Sequence, residues 1–373
     1  MYKKFEEVLF IGPEKDYGGM GSVLEIYANY IPSFKFIASY PSFQSGRKGW
    51  ENKIYASLFF LQCIFHYIYV LIFDRKIKIV HIHSASNGSF IRKSILTHIG
   101  KVLNKKVVLH IHSGNFKNYY YNAGLLKKYI IYTLKKSDKV ICLSNEWLEF
   151  YSKELNLKNV IVLPNPVDTH VKTLFDYNKE KINLLFLGKV CKEKGIFDLI
   201  EFLKTNVWFQ KNYIGLTIAG NGEIQKLLHI INNENLSEHI QYIGWIKAEE
   251  KNRVIQEADI YILPSYFEGV PISILECMSA GKPIIATKVG GVPSIVEANE
   301  NGWLFEPGKF EQLNKIFDEI FSSKKLITKY GENSWIKAQK YKPEAIIQKL
   351  LTIYSEMLPL QSSVKEEVKN YFL

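Results

Sequence analysis

Cysteine is scarce. Cys63, Cys142, Cys191 and Cys277 are the only four in 373 residues, and no two lie close together. Scattered singly, they argue against a disulfide framework and against a zinc site, and they read as reduced core thiols. Also missing is a Gly-x-Gly-x-x-Gly turn after the first strand of either half. The first half has Gly12 and then Gly18-Gly19-Met20-Gly21, and the second has Gly188 and then Gly195. That disfavours a dinucleotide oxidoreductase. The opening Met1–Glu7 runs directly into the strand-like Val8–Ile11 without an apolar signal core, so a cytoplasmic location is expected.

Acidic residues run short in one half only. Residues 1–165 hold 23 Lys+Arg against 11 Asp+Glu, whereas 166–373 hold 25 against 26, so the net charge of +11 belongs to the first half. Such asymmetry suits an anionic partner. No nucleic-acid signature is present, so no nucleic acid is expected, and an anionic membrane surface or a lipid-phosphate acceptor fits better. Hydrophobic residues at 47% and charged residues at 23% describe an ordinary globular protein, and the length exceeds one usual core.

Both halves repeat a short apolar strand, a loop and a helix. Strands are expected at Val8–Gly12, Phe34–Ser39, Ile79–His83, Lys106–His112, Lys139–Ser144 and Val160–Leu163. In the second half they are expected at Ile182–Gly188, Gly215–Gly220, Ile240–Gly244, Ile260–Tyr266, Pro283–Thr287 and Gly302–Phe305. This alternation implies α/β architecture, with two Rossmann-like, doubly wound parallel-sheet domains facing across a cleft. Pro164–Asp168 reads as the hinge, which places the domains at 1–165 and 166–343. Ile54–Phe73 is a nearly continuous apolar run, long enough to span a membrane. Its place between two strands of one sheet favours a buried core helix, with shallow interfacial placement as the other reading.

The segment Ile260–Glu276 reads as a buried strand, a glycine turn and a helix beginning near Ile272, with Pro271 suited to the helix's first turn. The free N–H groups of such a helix, and its dipole, attract phosphate. Glu268 in the turn and Glu276 in the helix would flank that phosphate, an arrangement suited to a sugar nucleotide. The competing reading is a plain connection carrying two solvated acids. Lys189 and Lys194 lie just beyond a strand's carboxyl end, where two cations could neutralise a diphosphate leaving group. Gly18 and Gly19 could bring bare backbone amides near a phosphate, or form an ordinary turn. His81, His83, His110 and His112 cluster at strand ends, with His110 expected on the opposite face from His112. No carboxylate set accompanies them, and no metal is expected.

Taken in order, several segments resemble the retaining family-four glycosyltransferases of the GT-B fold. They are Gly18-Gly19, His110-Ile-His112-Ser-Gly114, Ser137–Ser144, Leu163–Asp168, Leu187–Gly195, Gly220-Asn-Gly222, Glu268-x7-Glu276 and Val289–Pro293. The resemblance covers most of the chain. It implies that Glu268, His112 and Lys194 serve catalysis, with His112 meeting the sugar from the first domain. It also implies that Gly18, Gly19, Lys189, Lys194, Gly220, Gly269, Val270, Pro271 and Glu276 bind the donor. Lys189 stands where the family usually has arginine; an ammonium keeps the charge and loses the two-pronged fork. The resemblance further implies a front-face retaining route, so Glu268 is not assumed to be a covalent nucleophile of the glycosidase kind.

The implied activity moves a sugar from a UDP- or GDP-sugar to a glycan or lipid-linked acceptor in bacterial surface-polysaccharide biosynthesis, with no cofactor. The second domain would bind the nucleotide-sugar donor and the first the acceptor. Glu344–Met357 would cross back onto the first domain, and the tail Pro359–Leu373 would be less ordered. Alternatives are a sugar-nucleotide epimerase on the same paired-domain fold and a non-catalytic glycan-binding protein. Arg47-Lys48, Arg92-Lys93, Lys101, Lys105-Lys106, Lys127-Lys128, Lys135-Lys136 and Lys139 read as a face for anionic headgroups, peripheral on the inner side of the cell membrane, or as a solvated lysine-rich surface.

Overall fold

The structure, a computed structural model, describes residues 2–15, 18–42, 49–246 and 248–358. The chain divides into two compact units: one holds the residues up to Pro166 and those from Pro343 onward, the other Val167–Lys342. The tail Pro359–Leu373 and the pair Arg47-Lys48 lie outside the described residues.

Each unit is built on a six-stranded sheet in which every recorded pairing is parallel. In the first unit these are β1 (Val8–Gly12), β2 (Lys35–Ala38), β3 (Ile79–Ser84), β4 (Lys106–Ile111), β5 (Lys139–Cys142) and β6 (Val160–Val162), in the order β2-β1-β3-β4-β5-β6. The second unit has β7 (Ile182–Leu187), β8 (Ile214–Ala219), β9 (Ile240–Tyr242), β10 (Ile260–Leu263), β11 (Ile284–Thr287) and β12 (Gly302–Phe305), in the order β12-β11-β10-β7-β8-β9. Strands such as β1, β3 and β10 are buried at every position, as a sheet covered on both faces requires.

All twelve expected strands are present, most of them slightly shorter than expected. β10 was expected to reach Tyr266 and stops at Leu263, because Pro264 has no N–H to give the ladder. In each sheet the chain winds outward in both directions from a central pair, β1/β3 in the first and β7/β10 in the second. Ligands of doubly wound sheets collect beyond the strands' carboxyl ends at that switch point.

Three helices of the first unit matter below: α1 (Gly18–Tyr30), α2 (Gly49–Phe73) and α3 (Gly88–Val102). The expectation of a core-buried α2 is corrected. Phe60, Cys63, Tyr67 and Leu71 enter the core, while Ile54, Leu58, Leu61, Phe65, Tyr69 and Ile72 are exposed. An apolar run of this length puts apolar side chains all round the helix, but a helix laid on one sheet touches it along one stripe only. The Pro343–Met357 helix joins the first unit. Its Tyr354 hydroxyl bonds His81 Nδ1, and its ring meets Phe5 edge-on at 5.8 Å.

Candidate functional site

In the second unit, Lys189 and Lys194 follow β7, and Glu268 through Pro271 follow β10, its sheet neighbour. The switch point therefore brings Lys194 and Glu268 together across 74 positions. The Lys194 ammonium pairs with Glu268 Oε1, and the Ser265 hydroxyl donates to the same oxygen at 2.6 Å. Glu268 is buried and Lys194 about a quarter exposed, so the cation stands on the solvent side of the pair. Lys189 is exposed, and its charge helps hold the Glu193 carboxyl below its ordinary range, after backbone and Cys191 hydrogen bonds.

Close backbone crossings shape this edge. Gly290 adopts φ +48°, and a Cβ there would lie 1.8 Å from the Glu268 carbonyl. Gly220 has φ +151°, and its Cβ would lie 1.8 Å from the Gly188 carbonyl. Any side chain at either position would push apart the loops after β10 and β11, or after β7 and β8. Gly269 accepts a 2.7 Å hydrogen bond from the Gly291 N–H. Pro271 is not inside the first turn: it is the extended N-cap of the Ile272–Ser279 helix and makes no side-chain cap bond. That helix end is suited to an anion.

Glu276 lies inside the same helix, buried, and pairs with Lys251 Nζ at 2.5 Å from the Ala248–Glu257 helix. Tyr261 on β10 links the elements: its hydroxyl bonds the Leu187 carbonyl at 3.1 Å and the Ser273 hydroxyl at 2.7 Å. Burial holds that phenol well above its ordinary range, and the charges of Glu268 and Glu276 add to the effect. His170 also feels Glu276. Burial lowers its pKa despite that carboxylate, and its Nε2 is buried without a hydrogen-bond partner among the described residues.

The first unit carries Gly18, Gly19 and His112. Gly18, at φ +62°, and Gly19 are the exposed first residues of α1. His112 follows β4. Its Nδ1 faces Asn165 Oδ1 at 3.1 Å, and its Nε2 faces His83 Nδ1 at 2.8 Å. Since the amide oxygen only accepts, Nδ1 carries the proton and Nε2 accepts from His83. Burial pushes His112 down to about 4, with the Asn165 bond opposing.

The expected opposition of His110 and His112 is overturned. Residues two apart on a strand share a face, and these rings stack at 4.1 Å. His81 and His83 stack likewise at 4.5 Å, with planes 9° apart. His81 Nε2 meets His110 Nδ1 at 3.2 Å, and burial holds His81, His83 and His110 well below the ordinary histidine range. One nitrogen from each of these three lies within 4.8 Å of the others. The His81 and His83 rings are nearly parallel at 9°, with His110 tilted 28° and 35° from them, so the stacked His81 and His83 would have to turn to share an ion.

The expected basic surface is only partly free. Lys93 is buried, which lowers its ammonium to about 7. Lys101 and Lys106 both pair with Asp138, whereas Lys128, Lys135 and Lys136 are exposed. Sequence reasoning does not single out Ser265, although it stands only three residues before Glu268. Asn165 was read only as part of the hinge, and His83 only as part of a metal hypothesis. Lys251 and His170 carry no local signal.

Residues 170–335 match the family model of glycosyl transferases group 1, and residues 42–171 match that of glycosyltransferase family 4. An uncharacterized glycosyltransferase of Methanocaldococcus jannaschii is 29% identical over 61% of this chain and 62% of its own length. The amylovoran biosynthesis glycosyltransferase of Erwinia amylovora is 26% identical over 65% of this chain and 64% of its own. The UDP-Gal:alpha-D-GlcNAc-diphosphoundecaprenol alpha-1,3-galactosyltransferase of Escherichia coli is 28% identical over 64% of this chain and 65% of its own. Each match thus spans less than two thirds of the relative. Among solved structures, Anabaena HepE in complex with UDP aligns with a TM-score of 0.74 at 15% identity, over 94% of this chain and 100% of that one. Sucrose-phosphate synthase from Thermosynechococcus elongatus aligns at 0.73 and 17% identity, over 94% and 98%. These likenesses concern the fold, which is GT-B.

Proposed function

We propose that this chain, which carries glycosyltransferase family 4 and group 1 domains, is a retaining glycosyltransferase. It takes a sugar from a UDP- or GDP-linked donor and passes it to a glycan or lipid-linked acceptor in surface-polysaccharide assembly. It works in the cytoplasm at the inner face of the membrane.

The observation that carries this reading is the Lys194–Glu268 pair at the β7/β10 switch point, beside a helix start without a side-chain cap. A donor diphosphate at that helix end takes the Lys194 ammonium for itself and leaves Glu268 free to face the sugar. Lys194, with Lys189 beside it, then stabilises the charge that develops on the departing nucleoside diphosphate. Glu268 orients sugar hydroxyls and offsets positive charge at the anomeric carbon, without a covalent bond being assigned to it. Glu276 accepts from the ribose hydroxyls once Lys251 yields, and the amides of Gly269 and Val270 complete the donor contacts. For His112, any bond to a sugar would replace its present bond to His83 or Asn165. Lysine charge does the neutralising, so the proposal invokes no metal or cofactor.

The precedents come from relatives. The E. coli relative is a galactosyltransferase acting from UDP-Gal on a diphosphoundecaprenol-linked sugar, and Anabaena HepE has been solved with UDP-glucose. A thermal-shift screen over nucleotide sugars, followed by assay of free nucleoside diphosphate, tests the reading. One donor should stabilise the protein and release its nucleotide only when acceptor is present. An absence of stabilisation by every UDP- and GDP-sugar would remove the transferase assignment.

A further inference from the structure

α2 is apolar on two opposite faces. One carries Phe60, Cys63, Tyr67 and Leu71 into the core, where the Tyr67 hydroxyl donates to the Leu96 carbonyl of α3 at 3.1 Å. The other presents Ile54, Leu58, Leu61, Phe65, Tyr69 and Ile72, with Phe65 67% and Tyr69 60% exposed. At 100° per residue these six fall within one narrow arc, opposite the core stripe. Exposed apolar stripes of this length mark a binding surface.

We propose that the outer face of α2 docks on an anionic bilayer, with the helix lying flat at the headgroup level. A transmembrane placement would tear Phe60, Tyr67 and Leu71 out of the sheet's core, so the helix lies on the membrane and does not cross it. Charge selects the occupant. Arg75 and Lys76 just past the helix are exposed and outnumber Glu51 of its first turn, while the nearby Asp74 pairs with Lys35 at 2.6 Å. A second copy of this chain would set one strongly basic half against another, whereas anionic lipid complements it. Trp50 at one end and Tyr69 near the other are the amphipathic aromatics that settle at the headgroup boundary. This surface is distinct from the lysines of the Leu126–Lys136 helix, and the inference does not depend on the transferase reading.

Flotation of the full chain with vesicles tests it, using phosphatidylcholine alone and phosphatidylcholine mixed with phosphatidylglycerol. The protein should float with the mixed vesicles and be released by a carbonate wash. The neutral triple variant Leu58→Gln, Phe65→Gln, Tyr69→Gln should lose roughly tenfold or more of its vesicle-bound fraction at an unchanged melting temperature. These positions are exposed, so folding is spared, and Gln adds no charge that the lipid could repel. A charge-reversal variant at Lys128, Lys135 and Lys136 should retain most of the binding. Undiminished flotation of the Gln variant would overturn the proposal, as would retention after carbonate. So would a parent protein that ignores vesicles and forms dimers which the Gln variant dissolves.

Discussion

The two units share one architecture, a doubly wound parallel sheet of six strands, although their strand orders differ, and they contrast in electrostatics. On β3 and β4 of the first unit, and just past β4, four histidines stack as neutral rings, each held below its ordinary pKa chiefly by burial. Beyond β7 and β10 of the second, two buried carboxylates each face a lysine. One edge discards charge in order to be buried; the other pairs its charge and stays polar. A sheet's winding order decides where loops converge, but only side chains decide whether that place attracts an anion.

The largest expected effect strikes the charged edge. Glu268→Gln preserves shape and removes the charge, and sugar turnover should fall about 10²–10³-fold with little change in melting temperature. Unchanged turnover would take Glu268 out of the chemistry and leave the two edges functionally alike.

Acid should act first on the neutral edge. Its histidines bind protons more weakly folded than unfolded, so the unfolded chain takes up more protons as pH drops. Their stabilisation is whole above the ordinary histidine value of 6.5 and is lost as pH falls towards about 4, the folded value for His112. For His112 alone the loss is roughly 3 kcal/mol. Melting curves across that range should show it, and His112→Gln should flatten the dependence. An equally steep curve in the variant would absolve His112.

Lys194→Ala removes one charged contact to phosphate, and nucleoside diphosphate affinity should drop about tenfold to a hundredfold by calorimetry. Equal affinity would mean that the Lys194–Glu268 pair is structural, like those of Asp138. The mildest test is Glu276→Gln. It should weaken the ribonucleotide several-fold, roughly 1 kcal/mol, and leave the matching 2′-deoxynucleotide almost unaffected. A uniform loss for both would show that Glu276 does not read the ribose.

Much of the architecture was legible because parallel strands buried on both faces must be short apolar runs, and such runs stand out between polar helices. Glu268, Lys194 and Gly220 were legible because they sit where strands end. Orientation is what the local sequence leaves open. The strand repeat itself puts His110 beside His112, against the expectation of opposite faces, and composition favours a core α2 over an interfacial one because it does not record which side meets the sheet. Lys93 looked like surface charge and is buried.

Local sequence was enough to determine the strands, the turns that only glycine tolerates and the acids at the strand ends, since each depends on a few adjacent residues. Tertiary structure alone decided which cation answers each acid. Lys194 reaches Glu268 across 74 positions and Lys251 reaches Glu276 across 25, because strand order sets those neighbours. It also decided which side of α2 stayed bare, because a sheet can cover only the face that lies against it.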